Sequence, residues 1–186
     1  YKVAVIIPTL NEEKFIARCL DSVIEQSYPF RDMDVMVVDG GSNDRTREIV
    51  EEYGRKYINI RFIHNPGRIQ SIAFNIGVEN SDAPYIVRLD AHALYNKDYI
   101  EKCIAGLQND TQIGNVGGRC KILPFNDTLW ANTNAILNYS RFGIGGSAFR
   151  VSNEPHNTDS VPFGAFPRKI VEEIGGMRED LPRGED

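Results

Sequence analysis

Cysteine is scarce in this 186-residue chain, and the three present, Cys19, Cys103 and Cys120, stand far apart. Without a Cys-x-x-Cys pair there is neither a zinc knuckle nor a disulfide framework, which fits buried thiols in a reducing compartment. No window of about 18 apolar residues is present, and the start at Tyr1 has neither the basic nor the apolar region of a signal peptide, so the segment is expected to be soluble. Also missing are a Gly-x-Gly-x-x-Gly fingerprint and a Gly-Lys-Ser/Thr phosphate loop, which excludes a dinucleotide-binding Rossmann domain and a P-loop NTPase. A net charge of −5 with no basic run argues against nucleic acid as a partner. What remains, 41% hydrophobic and 25% charged residues, is the composition of an ordinary globular protein of one domain.

What is present alternates. Lys2 to Ile7 is a near-continuous apolar run of strand length, stopped by Pro8. After it, Asn11 is placed to cap a helix whose Phe15, Ile16, Cys19, Leu20, Val23 and Ile24 recur on one face. Met33 to Val38 reads as a second strand, and Ser42, Asn43 and Asp44 offer caps for a helix through Tyr53. Ile60 to His64 reads as a third strand, Ser71 to Val78 as a short helix, and Tyr85 to His92 as a fourth strand. Further on, the pattern predicts a helix near Asp98 to Leu107, a strand from Gly114 to Leu123, and a helix from Thr128 to Leu137 carrying Trp130. A Gly, Ser and Asn-rich connection from Ser140 to Ser160 precedes a helix that starts at Pro167 and stops at Gly175-Gly176. Such βα alternation implies an α/β fold with a mostly parallel central sheet and helices on both faces.

In parallel sheets ligands sit at the carboxyl ends of the strands, and Thr9, Asp39, His64-Asn65 and Asp90-Ala91-His92 all fall there. Strand alternation would point Asp90 and His92 the same way, so both could reach one ion. Taken alone, Asp90 is equally a loop cap and His92 a solvated imidazole, and Asp39-Gly40-Gly41-Ser42 is equally a helix-capping turn. A nucleotide diphosphate lying across the rim would need counter-charge. A divalent ion held by Asp90 and His92 would supply it, and imidazole with carboxylate suits Mn²⁺ at least as well as Mg²⁺.

Several motifs in order carry a resemblance: Val5-Ile6-Ile7-Pro8-Thr9-x-Asn11-Glu12, Asp39-Gly40-Gly41-Ser42-x-Asp44-x-Thr46, Ser71 to Gly77, Asp90-Ala91-His92, Phe163-Gly164-Ala165-Phe166 and Glu185-Asp186. Together they resemble the inverting family 2 glycosyltransferases of GT-A fold, and among these the transferases that build bacterial exopolysaccharides such as succinoglycan. The resemblance implies one catalytic domain over 1–186, with 1–92 the nucleotide-binding half and 93–186 an acceptor-side half that is incomplete at its C-terminal end. It implies that Thr9, Glu12 and Asp39 contact the uridine of a UDP-sugar, with Asp39 at the base. Asp90 and His92 would hold Mn²⁺ or Mg²⁺ and the donor diphosphate, and Asp186 would be the base that deprotonates the acceptor. Arg68, Arg88, Arg168 and Arg183 are candidate phosphate or acceptor contacts, each equally a solvated surface residue. The acceptor would be a glycan or a lipid-linked sugar, and the parent protein would be cytoplasmic, at the inner face of the plasma membrane.

Two departures qualify these expectations. His92 stands where the family has a carboxylate, which weakens the site for hard Mg²⁺ and would empty it below about pH 6 as imidazole protonates. The chain also stops at the proposed base, as an excised catalytic portion would, so weak or no transfer is expected despite nucleotide binding. Two other readings share the scaffold. A nucleotidyltransferase would want a Gly-rich loop after the first strand, where Pro8-Thr9-Leu10-Asn11 stands instead; a non-catalytic nucleotide- or glycan-binding module would not.

Overall fold

A computed structural model describes residues 1–120, 127–130, 133, 155–158 and 161–180. Two compact units are present, Tyr1–Val116 with Phe163–Asp186, and Gly117–Pro162. The first carries the sheet: β1 (Val3–Thr9), β2 (Met33–Asp39), β3 (Ile60–His64), β4 (Tyr85–Arg88) and β5 (Ala165–Pro167). Between and after them run α1 (Ile16–Ile24), α2 (Thr46–Lys56), α3 (Gln70–Glu79), α4 (Tyr99–Asn109) and α5 (Arg168–Ile174). The strand order is β3-β2-β1-β4-β5, parallel throughout except that β5 pairs antiparallel with β4.

Alternation along the central strands divides the core in two. Val3, Val5 and Ile7 of β1 and Val35 and Val37 of β2 pack with Ile16, Leu20 and Val23 of α1 and with Ile100, Cys103 and Ile104 of α4. The intervening Ala4, Ile6, Met36 and Val38 face Ala73 and Phe74 of α3 and Val171 of α5. Helices on both faces explain why these strands read as continuous apolar runs.

Three local expectations change. β1 does not stop at Pro8 but runs through it to Thr9. Ile6 O accepts Leu89 N–H at 2.9 Å, so same-parity Pro8 turns its missing donor toward the β4 side, past the last β1–β4 pair. Asn11 does not cap α1, whose first turn has no side-chain cap. It adopts a left-handed φ of 56° and fastens the β1–α1 loop to the β2–α2 loop, its Oδ1 accepting Asn43 N–H at 2.9 Å. β4 ends at Arg88 rather than His92, because the chain turns at Ala91-His92 and Ala93 N–H closes onto Asp90 O at 3.2 Å.

Gly175 ends α5 at φ 80°, the left-handed stop the sequence implied. Of the expected strand from Gly114 to Leu123, Val116 makes a single bridge to Ala165, and residues 121–126 lie outside the described ones. Most of the expected 128–137 helix and of the 140–160 connection also lies outside them; within the second unit, Leu129 and Trp130 are exposed.

Candidate active site

At the carboxyl edge of the sheet lies a cleft of about 210 Å³, whose lining includes Thr9, Glu12, Asn65, Arg68, Gln70, Asp90 and His92. That volume is below the roughly 300–1,000 Å³ of sites that enclose a drug-sized ligand, so the cleft has room for only part of one. Four of the predicted residues, Thr9, Glu12, Asp90 and His92, meet here. Asp39 is 2% exposed and does not line the cleft. Asp186 and Arg183 lie outside the described residues.

Asp90 is held by its backbone. Its N–H donates to Tyr95 Oη at 2.7 Å, and its carbonyl accepts from that hydroxyl at 3.3 Å and from Cys19 Sγ at 3.5 Å. Burial pushes the Cys19 thiol up to about 12, with the nearby Asp90 and Glu12 charges adding to it, so the group stays a protonated donor. Asp90 Oδ1 accepts from Gln70 Nε2 at 3.2 Å and stands 3.5 Å from Arg88 Nη2. Strand pleating therefore does not align Asp90 and His92; a pinned turn brings both to the cleft.

His92, with 61% of its side chain exposed, places Nδ1 3.1 Å from Glu12 Oε1. Thr9 Oγ1 donates to Ile7 O at 2.9 Å. Asp39 Oδ2 accepts the N–H groups of Gly41 and Ser42 at 2.9 and 2.8 Å, and Oδ1 accepts the Ser42 hydroxyl. Asp39 is thus the turn cap the sequence allowed, with three of a carboxylate's about four acceptor positions in use.

The loop after β3 is fixed by Asn65, whose Nδ2 donates to Ile69 O at 3.0 Å and whose Oδ1 accepts Gly67 N–H at 2.9 Å. It presents Arg68 at a left-handed φ of 62°. Arg168 belongs elsewhere. Its guanidinium donates to the carbonyls of Val78, Ser81 and Ala83 behind α3, so it is a structural clasp and not a phosphate contact.

Sequence reasoning missed Gln70, Tyr95 and the Glu12–His92 contact. Tyr95 carried a faint signal, an aromatic hydroxyl five residues past Asp90; the other two join positions with no shared pattern. Among the described residues no three His, Cys, Asp or Glu side chains gather into a metal cage.

A mostly parallel sheet with a polar cleft at its carboxyl edge and one antiparallel edge strand defines an α/β domain of the GT-A class. Residues 4–175 match the glycosyl transferase family 2 domain, and the chain belongs to that family. Among curated relatives, it is 30% identical over 177 residues to dolichyl N-acetyl-alpha-D-glucosaminyl phosphate 3-beta-D-2,3-diacetamido-2,3-dideoxy-beta-D-glucuronosyltransferase of Methanococcus voltae, covering 92% of this chain and 54% of that protein. It is 29% identical over 184 residues to succinoglycan biosynthesis protein ExoA of Rhizobium meliloti, covering 98% and 54%. The chain thus spans about half the length of these relatives. Among solved structures, Staphylococcus aureus TarS in complex with UDP superposes with a TM-score of 0.73 at 21% identity, covering 100% of this chain and 52% of that one. Mannosyltransferase PcManGT of Pyrobaculum calidifontis, in complex with GDP-Man and Mn²⁺, gives 0.71 at 25% identity, covering 97% and 48%.

Proposed function

We propose that this chain is the donor-binding portion of an inverting glycosyltransferase that moves a sugar from a nucleotide-diphosphate donor, a UDP-hexose, to a glycan or lipid-linked acceptor in polysaccharide biosynthesis. The observation that carries this reading is the meeting of Thr9, Glu12, Asp90 and His92 around one cleft at the sheet's carboxyl edge in a family 2 chain. The cleft brings two cationic-capable side chains, Arg68 and His92, against two carboxylates, Glu12 and Asp90. A diphosphate entering it needs further positive charge.

The donor set fits a divalent ion that arrives with its diphosphate. Asp90 offers a carboxylate and His92 an imidazole, and cations of this kind commonly take one or two protein ligands and complete their shell with phosphate oxygens and water. The Mn²⁺ bound by the mannosyltransferase above supports this reading. When bound, such an ion neutralises charge developing on the leaving diphosphate.

On this reading Thr9, Glu12 and Asp39 serve the nucleoside end. Asp39 keeps one acceptor position for a base N–H, with the other three held by its own turn. Arg68 projects from the fixed 65–70 loop toward the diphosphate. Asp186 takes the proton from the acceptor hydroxyl as that oxygen bonds to the anomeric carbon; the carbon's bond to the diphosphate oxygen breaks on the opposite face, and the nucleoside diphosphate leaves with the bonding pair.

Among the described residues no helix is long and apolar enough to cross a membrane. A site of action at the cytoplasmic face of the membrane, with residues 93–186 serving as the acceptor-side half, completes the proposal.

The test is calorimetric titration of UDP into this chain with and without Mn²⁺, with GDP and dTDP alongside. Mn²⁺-dependent binding selective for UDP supports the reading. Tighter binding of GDP would move the donor to a GDP-sugar, and no binding of any nucleotide would overturn the donor-site assignment.

A further inference from the structure

We propose that Glu12 is a positioning residue that sets the tautomer of His92, so that Nδ1 carries the proton and Nε2 keeps its lone pair for a cation at the cleft. The inference rests on the metal-diphosphate reading above and deepens it.

An ionised carboxylate accepts hydrogen bonds and donates none, whereas a neutral imidazole has one donor and one acceptor nitrogen. Glu12 Oε1 lies 3.1 Å from His92 Nδ1, so the contact is a hydrogen bond only when Nδ1 bears the proton. In the neutral ring Nε2 is then the unprotonated nitrogen, the form a metal requires.

Which partner orients the other follows from how each is held. Glu12 N–H donates to Thr46 Oγ1 at 2.8 Å, and Glu12 O accepts the N–H groups of Phe15 and Ile16, both at 2.9 Å. Its side chain is 19% exposed, against 61% for His92. Glu12, with its backbone anchored and its side chain the more buried, is therefore the steadier member and the imidazole the one aligned. The contact crosses 80 residues of sequence and ties the β1–α1 loop to the turn that carries Asp90. Carboxylates placed behind ligating histidines in this way raise ligand basicity and fix ring orientation, and losing one commonly costs 10- to 100-fold in metal affinity. Glu12 Oε2 stays available to the nucleoside, so the two tasks assigned to this residue are compatible.

The test begins without metal. Long-range proton–nitrogen correlation of the ¹⁵N-labelled chain near pH 8, where a histidine is neutral, reads the tautomer directly, with His92 assigned by its loss in His92→Asn. The wild type is expected to show a protonated Nδ1 and a bare Nε2. Glu12→Gln, whose amide oxygen can still accept, should keep that pattern, and Glu12→Ala should give a mixture. Mn²⁺ binding to the UDP complex, followed by electron paramagnetic resonance, should weaken about 10-fold in Glu12→Ala and recover largely in Glu12→Gln. A proton on Nε2 in the wild type, or an unchanged tautomer in Glu12→Ala, would overturn the inference. If Asp90→Ala and His92→Ala both leave Mn²⁺ binding intact, the metal reading itself fails; if they abolish it while Glu12→Ala does nothing, only the role of Glu12 fails.

Discussion

Asn75 in α3 and Met177, 102 residues later, are joined by a two-way clasp: Asn75 Nδ2 donates to Met177 O and Met177 N–H donates to Asn75 Oδ1, each at 2.9 Å. The side-chain amide imitates a strand partner and supplies the backbone that leaves α5 with both of its hydrogen bonds. Gly176, at φ 77°, makes the approach possible, since a Cβ there would stand 2.6 Å from Asn75 Oδ1.

Asn75→Ala should therefore destabilise the chain by about 1–2 kcal/mol, because the Met177 N–H and C=O lose their partners and water replaces them imperfectly at a half-buried site. Asn75→Asp should be no better. It keeps one acceptor but removes the donor and sets a charge beside Glu179, whose Oε1 now accepts Asn75 Nδ2 at 2.9 Å. Urea midpoints of the three proteins check the order; equal midpoints would show that the clasp contributes nothing.

A second connection, between the β1–α1 and β2–α2 loops, is sensitive to acid. Asp44 Oδ1 accepts Thr46 N–H at 3.0 Å and the Thr46 hydroxyl, and its Oδ2 accepts Glu13 N–H at 3.1 Å. Burial alone would raise the Asp44 pKa, but the bonds from Thr46 and Glu13 outweigh it and hold the group below its ordinary 3.8. A carboxylate depressed in the folded state contributes stability that is present above its unfolded value and disappears as pH falls through the folded one. Asp44→Asn, which keeps an acceptor oxygen but loses the charge, is expected to cost only about a few tenths of a kcal/mol near pH 6, with the gap to wild type closing as pH drops below the ordinary aspartate value. A gap independent of pH would mean that the uncharged oxygen serves equally well.

Much of this fold is legible in the chain because burial on both faces writes parallel strands as unbroken apolar runs. Val3 to Ile7 and Val35 to Val38 announce themselves that way, and the spacing of Ile16, Cys19, Leu20 and Val23 announces α1. The position of Thr9 and Asp90 near strand ends then points to the rim. Legibility fails where a side chain serves the backbone of a distant segment. Nothing local in Leu89-Asp90-Ala91-His92 shows that the strand has ended, since Leu89 is as apolar as Ile86 and Val87 and continues to bond Ile6. Asn11 is a sound cap by composition, but a left-handed φ turns it into a loop fastener. Arg168 looks like any surface cation until the end of α3 and the segment after it bring three carbonyls to it. Glu12 and His92 are likewise joined by tertiary contact, with no periodicity to relate them.

Tyr95 provides the sharpest test of how Asp90 is presented. Its ring is wedged against Tyr99 and Phe163, with centroids at 5.4 and 5.7 Å, and its hydroxyl serves both backbone groups of Asp90. Burial, reinforced by the neighbouring Cys19, pushes the phenol well above its usual 10, so the hydroxyl keeps its proton throughout the range in which the protein is handled. Tyr95→Phe preserves the ring packing and deletes only the oxygen. The Asp90 N–H then has no replacement in place, a loss expected to cost about 1–2 kcal/mol. Because the carboxylate rides on that backbone, Mn²⁺-dependent UDP affinity should fall, while metal-free UDP affinity, set by the nucleoside end, should hold. Parallel loss of both affinities would show that the whole rim had shifted; no loss of either would mean that the Leu89–Ile6 and Ala93–Asp90 backbone bonds suffice to place Asp90 without the tyrosine.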